Sequence, residues 1–180
     1  MKNGKHMVIP VFVPHKGCPH DCIFCNQKKI SGQTAEMTAQ AMDEIIQAHL
    51  STAGRDTSIE IGFYGGSFTG IEPQKQRELL GEAYEYVKTG QVCEIRLSTR
   101  PDYISEEILS LLSEYGVKTI ELGVQSLDEE VLRLSNRGHR AEDVYAASAL
   151  IKAHGFRLGI QTMIGLPGDS AEERICTAKK

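Results

Sequence analysis

Ser58-Ile59-Glu60-Ile61-Gly62-Phe63-Tyr64-Gly65-Gly66-Ser67 is the stretch on which the fold turns. From Ser58 to Tyr64, apolar and polar residues alternate with a period of two, the pattern of a β-strand with one buried face. The run stops on two glycines and a serine, and from Pro73 the period changes. Leu79, Leu80, Ala83, Tyr84 and Val87 fall on one stripe at helical spacing, with Pro at the first turn. This unit of strand, loop and helix recurs on both sides. Upstream, Val8 to Val13 reads as a strand entering a Pro/His/Gly/Cys-rich loop. A helix follows from Thr38 to Ala53, with Ala41, Met42, Ile45, Ile46 and Leu50 on its stripe and Gly54 at its end. Downstream, Cys93 to Ser98 is a third strand. Ser105 caps a helix with Glu106 and Glu107 in its first turn and Gly116 beyond its last. Val117 to Val124 is a fourth strand, Ala141 to His154 a helix ended by Gly155, and Phe156 to Ile164 a fifth strand. Ser170 begins another helix.

Such alternation implies right-handed βαβ units and a parallel sheet in an α/β fold. A doubly wound sheet and a (β/α) barrel both fit. A full eight-stranded barrel takes roughly 250 residues, and this chain has 180. No linker, low-complexity stretch or repeat divides it. At 41% hydrophobic and 24% charged the composition is that of a globular domain, long enough to bury a core without staples. A net charge of −4 gives no basic field to support a nucleic-acid partner, and Lys28-Lys29 reads as a solvated face. No apolar run approaches the roughly 20 residues that cross a bilayer, so no membrane partner is expected. The first residues carry no signal-peptide pattern. Five Cys, an odd number, suit a reducing cytoplasm and a site better than a disulfide framework. Neither a P-loop nor a dinucleotide fingerprint is present.

Polar or glycine-rich residues follow every strand. The Cys cluster follows the first, Gly65-Gly66-Ser67 the second and Ser98-Thr99-Arg100-Pro101 the third. Gln125-Ser126 follows the fourth and Gly165-Leu166-Pro167-Gly168 the fifth. The carboxyl ends of parallel strands are where barrels and open α/β sheets build their sites.

The sharpest signal is Cys18-Pro-His-Asp-Cys22-Ile-Phe-Cys25. Three thiolates so close on one loop can hold a metal centre. Iron–sulfur clusters ordinarily take four Cys, so three would leave one iron of a four-iron cluster open to a ligand. Zinc is the alternative, because His15 and His20 allow a tetrahedral site of three Cys and one His. A lone Cys22-x2-Cys25 redox pair is a third reading. Spacing alone leaves all three open.

The motif resembles that of the radical S-adenosylmethionine (SAM) enzymes, C-x3-C-x-aromatic-C, matched here by Cys18, Cys22, Phe24 and Cys25. Gly65-Gly-Ser-Phe68, Ser98-Thr-Arg-Pro-Asp102, Glu121-Leu-Gly-Val-Gln-Ser126, Asn136-Arg-Gly-His139 and Met163-Ile-Gly-Leu-Pro-Gly168 extend the resemblance along nearly the whole chain. It is closest to the radical SAM domain of the Elongator catalytic-subunit type, and more distant from the oxygen-independent coproporphyrinogen oxidases. The resemblance implies that Cys18, Cys22 and Cys25 hold a [4Fe-4S] cluster whose fourth iron chelates SAM. Phe24 would lie beside the adenine. Reductive cleavage of SAM to a 5′-deoxyadenosyl radical, which abstracts hydrogen from a substrate, is the implied activity. The implied partners are that substrate and an electron donor such as flavodoxin or ferredoxin.

Gly65, Gly66 and Ser67 match the segment that receives the SAM amino group. Many members carry Glu at the place of Ser67. A hydroxyl accepts a hydrogen bond but brings no charge, while the backbone carbonyls remain available. Ser98 aligns with a Glu of the porphyrin-type relatives, and Gln125, Arg137 and Gln161 with polar SAM-contacting positions. The planar fork of Arg137 suits a carboxylate. Phe12 replaces a Tyr that neighbours SAM in those relatives. The implied fold is a partial parallel (β/α) barrel of about five βα units over residues 1–180, one radical SAM core domain, shorter than the family's usual six-unit barrel.

Cys93 reads as a packing residue, and Cys176 receives no role. His139 suits a structural turn and a substrate contact equally. His6, His49 and His154 read as surface or helix-end residues. From a different class, a zinc-stabilised binding module without catalysis would explain the Cys/His cluster, but it gives no reason for the Gly-Gly-Ser and Gln-Ser strand ends.

Overall fold

The structure is a computed structural model that describes residues 5–13, 22–25, 36–54 and 56–179. Its strands are β1 (Lys5–Phe12), β2 (Thr57–Tyr64), β3 (Glu94–Thr99), β4 (Val117–Gln125) and β5 (Arg157–Thr162). Helices α1 (Ala39–Thr52), α2 (Pro73–Lys88), α3 (Glu106–Glu114), α4 (Glu129–Leu134), α5 (Ala141–Ala153) and α6 (Ala171–Lys179) connect and follow them. All strand pairs are parallel, and the sheet order is β1-β2-β3-β4-β5. A doubly wound sheet reverses its strand order at a switch point. Here the order never reverses, and the arrangement is that of a partial (β/α) barrel.

Side-chain alternation gives the two faces different tasks. Ile9, Val11, Ile59, Ile61, Phe63, Ile95, Leu97, Ile120 and Leu122 point to one face and are buried. Met42 and Ile46 of α1, Leu79, Leu80 and Ala83 of α2, Leu109 and Leu112 of α3, and Val144, Ala147 and Ile151 of α5 join them in a single core. At roughly 1.5–3 kcal/mol for each fully buried large aliphatic side chain, this layer dominates the stability of the fold. The opposite face carries His6, Glu60, Tyr64, Arg96, Glu121 and Gln161, which would line the inside of the barrel.

Helix boundaries follow their caps. The Thr38 hydroxyl accepts the Ala41 N–H, and the Ser105 hydroxyl accepts the Ile108 N–H. Helix α4 was not expected from the sequence. Its six residues are too few to show a period, although the Asp128 carboxylate caps it by accepting the Val131 N–H at 2.9 Å. The fifth strand ends at Thr162 rather than Ile164, because Met163 N–H turns back to Gln125 O at 2.9 Å. Cys93 corrects an expectation. It is exposed, because β3 begins one residue later and Val92 takes the buried place ahead of the strand. Its thiol lies 3.3 Å from the Ser58 hydroxyl.

Candidate functional site

Cys22 and Cys25 are held by a tight turn in which Cys25 N–H donates to Cys22 C=O at 2.9 Å. Phe24 is half-buried between them. Cys22 is buried while Cys25 is partly open. Cys18, His15 and His20 lie outside the described residues. The Cys turn is fastened to the segment after α4, since Ile23 N–H donates to Ser135 C=O at 3.2 Å.

That segment delivers Arg137, which is 7% exposed. One guanidinium nitrogen, Nη1, faces Cys22 Sγ at 3.7 Å. The other, Nη2, donates to the carbonyl of Gly123 in β4 at 2.5 Å. Nε is buried and has no hydrogen-bond partner among the described residues. A Cβ at Gly123 would lie 2.9 Å from Arg137 Nη2, so glycine there lets the guanidinium reach the strand backbone. Two positions on, Gln125 has a φ of 70° at a register shift between β4 and β5. A side chain held in that left-handed region costs about 1–3 kcal/mol and re-aims the end of the strand.

The β2 and β3 ends are joined by a separate network. The Ser67 hydroxyl accepts Arg100 N–H at 3.1 Å and shares a hydrogen bond with Thr99 Oγ1 at 2.8 Å. Thr69 adds a third hydroxyl, 2.6 Å from that of Thr99. The Arg100 side chain forks onto Asp102 with two 2.9 Å bonds, and its Nη1 donates to Arg137 C=O at 2.9 Å. Ser67, Arg100, Arg137 and Cys22 therefore form one connected chain across the strand ends. Gly65 precedes it with a φ of 98°, and a Cβ there would meet Val13 O at 3.0 Å. Sequence reasoning missed Arg100 and Gly123 as organisers, although both stand inside motifs it had singled out.

Ser98 and Gln161 meet elsewhere, on the inward face. Gln161 Nε2 donates to Ser98 Oγ at 3.1 Å and to Glu121 Oε2 at 2.7 Å. Glu121 and Glu60 flank Arg96 at 3.3 Å each, and His6 lies 2.7 Å from Glu60. Tyr64 takes a hydrogen bond from Arg96, while burial and Glu121 push its phenol pKa up. This polar row presents donors and acceptors on the inward face of the sheet.

His139 is 4% exposed, and neither ring nitrogen has a hydrogen-bond partner among the described residues. Burial, then Arg137 and Arg100, lower its pKa to about 4, so the imidazole is neutral near pH 7. Arg100 is balanced by Asp102. Among the described residues no carboxylate pairs with Arg137. The Cys turn thus faces a buried guanidinium with no carboxylate partner among the described residues.

The sequence pattern of the radical SAM superfamily matches residues 12–180. The chain belongs to the radical SAM superfamily. Among curated relatives it is 29% identical over 202 residues to the tRNA uridine(34) acetyltransferase of Methanocaldococcus infernus, covering 92% of this chain and 38% of that protein. The solved structure of Elp3 from the same organism superposes with a TM-score of 0.69 at 26% identity, over 98% of this chain and 42% of that one. The coproporphyrinogen III oxidase HemN of Escherichia coli shares the fold, with a TM-score of 0.67 at 24% identity, over 97% of this chain and 40% of that one. The radical SAM chain thus spans about two fifths of the length of these relatives. Among the described residues, no helix is long and apolar enough to cross a membrane.

A [4Fe-4S] cluster and SAM are the superfamily's cofactors. The residues present fit them. Cys22 is a soft ligand suited to iron–sulfur centres, and the buried guanidinium beside it calls for an anion, which a cluster thiolate or a carboxylate would supply.

Proposed function

We propose that this chain is a radical SAM core in which Cys18, Cys22 and Cys25 hold a [4Fe-4S] cluster and the strand ends bind SAM. The observation that carries the reading is the buried guanidinium of Arg137, which faces Cys22 Sγ at 3.7 Å and has no carboxylate partner among the described residues. A buried cation is stable only with a counter-charge, and the reading supplies one. Once bound, the two cofactors would supply reductive carbon–sulfur cleavage and hydrogen-atom abstraction.

The protein's own residues bind and orient. Gly65 and Gly66 bring backbone carbonyls close enough to receive an ammonium group. The Nε of Arg137, without a partner among the described residues, is a donor left for a carboxylate, and Gln125 presents an amide from the end of β4. Phe24 offers an aromatic surface for an adenine. Ser98 and Gln161, tied to Glu121, form a polar wall on the inward face, where a substrate would approach. Residues 1–180 act as one radical SAM core domain in the cytoplasm, reduced by a flavodoxin- or ferredoxin-type donor.

The test is metal analysis and electron paramagnetic resonance after anaerobic reconstitution. About four irons per chain are expected, and C18A, C22A and C25A should each lose them while C93A keeps them. Adding SAM should change the spectrum of the dithionite-reduced protein. A single zinc without iron, or a spectrum unmoved at millimolar SAM, would sink the reading.

A further inference from the structure

Arg137 stands between two groups that the proposed function needs, and its three donor positions are differently engaged. Nη2 is anchored on Gly123 C=O, Nη1 faces Cys22 Sγ at 3.7 Å, and Nε is buried without a partner among the described residues. Little freedom remains to the rest of the residue. Its carbonyl is held by Arg100 Nη1 at 2.9 Å, its N–H donates to Leu132 C=O at 3.0 Å, and Arg100 is itself locked on Asp102. The Cys turn cannot drift away from it either, because Ile23 N–H is bonded to Ser135 C=O. The sulfur and the guanidinium are thus fixed by bonds independent of their own contact.

We propose that Arg137 is a positioning and redox-tuning residue, whose Nη1–H hydrogen-bonds the cluster-ligating sulfur of Cys22 and raises the cluster's reduction potential. The inference rests on the reading of Cys18, Cys22 and Cys25 as cluster ligands. Reduction adds one electron, taken from a one-electron donor of the flavodoxin or ferredoxin class, and hence one negative charge. A fixed cation and an N–H donor at the sulfur stabilise the more negative state more than the oxidised one. Hydrogen bonds to cluster sulfurs and local charge are the levers by which proteins set iron–sulfur potentials. The low local dielectric strengthens both effects. His139 completes the setting: neutral beside Arg137, it adds no second positive charge there.

The experiment compares the reconstituted full chain with R137M and R137K, each in the absence of SAM. Iron content and an EPR-monitored reductive titration are the readouts. With iron fully loaded, R137M should show at least a tenfold lower ratio of reduced to oxidised cluster at the parent's midpoint, a shift of about 59 mV for one electron. R137K keeps the charge but loses the planar fork, and its potential should lie between the two. Loss of SAM contacts cannot move these values, since no SAM is present. A fully loaded R137M with the parent's potential overturns the proposal. Should R137M take up no iron, R137K and the parent still decide it. In the parent, exchange into D2O must shift an iron–cysteine stretching band in the resonance Raman spectrum, and an unshifted band overturns the proposal. A parent that binds no iron overturns the cluster reading and this inference together, whereas a loaded parent with an unmoved potential in R137M overturns the inference alone.

Discussion

Replacing Ser67 by Ala separates the structural work of this residue from the role that family resemblance gives it. In the structure the hydroxyl is 4% exposed; it accepts Arg100 N–H at 3.1 Å and bonds Thr99 Oγ1 at 2.8 Å. Thr99 keeps its second partner, Thr69, after the change. Arg100 N–H loses its hydrogen bond to Ser67, and losing a buried hydrogen bond of this kind costs about 1–3 kcal/mol. For a chain of this size each kcal/mol moves the melting temperature by about 2–4 °C, so S67A should melt about 2–12 °C below the parent. SAM affinity of the reconstituted protein, measured by equilibrium dialysis, should change by less than about threefold, because the hydroxyl is already engaged inside the protein. A hydrogen bond from an ammonium group to that hydroxyl would be worth about 1.5–3 kcal/mol, or more than tenfold in affinity. A tenfold loss of SAM affinity with an unchanged melting temperature would therefore refute the assignment of Ser67 to the protein's own network.

Two further perturbations test the neighbouring groups. In G123A the added Cβ would stand 2.9 Å from Arg137 Nη2 and push it off Gly123 C=O, a charge-assisted bond worth about 1.5–3 kcal/mol. G155A meets nothing within 4 Å and carries only the strain of a φ of 78°, about 1–2 kcal/mol. Both should melt lower, but only G123A should also shift the reduction potential of the cluster; a G123A protein with the parent's potential would mean the guanidinium is not held by β4. For His139 the folded pKa of about 4 lies below the ordinary 6.5, owing first to burial and then to Arg137 and Arg100, against the opposing pull of Asp102 and Asp143. The unfolded chain therefore binds more protons between those values, so this stability is fully present above pH 6.5 and falls by up to about 3 kcal/mol as pH drops toward 4. Urea midpoints measured across that window should fall less steeply in H139Q, and an unchanged slope would assign the pH dependence to other groups.

The fold was readable because two periodicities do not resemble each other. Ile59, Ile61 and Phe63 mark a strand by parity, and Leu79, Leu80 and Ala83 mark a helix by angle, in each case through residues that the core buries. What parity could not show was which α/β architecture results, because strand order is a long-range property; the unreversed order was visible only in the pairing of β1 through β5. Cys93 sits at an element boundary that periodicity does not fix. A shift of one residue in the start of β3 leaves its thiol at the surface, and no local signal fixes that start. Helix α4 was missed because its stabilising feature is a single Asp128 cap.

The candidate site was legible where chemistry is concentrated in rare residue types, above all in the Cys run and the glycine-rich strand ends. Arg100 carried no such mark. Its importance comes from joining Asp102, Ser67 and the Arg137 carbonyl, three contacts that exist only after β2, β3 and β4 lie side by side.

Ser67, standing where many family members carry Glu, also explains how the strand ends are held. A Glu at position 67 would reach outward from the end of β2 with a charge that demands a partner. The serine is short enough to turn back onto Thr99 and Arg100 N–H, which ties the β2 loop to the β3 loop and orders Arg100. Arg100 in turn fixes the backbone of Arg137, and Arg137 meets both β4 and the Cys turn. Giving up a ligand-facing carboxylate at 67 moves the task of receiving a positive group to the carbonyls beside Gly65 and Gly66. In exchange, the guanidinium of Arg137 keeps its charge uncompensated by any nearby side-chain carboxylate among the described residues, and that unspent charge can act on the sulfur of Cys22.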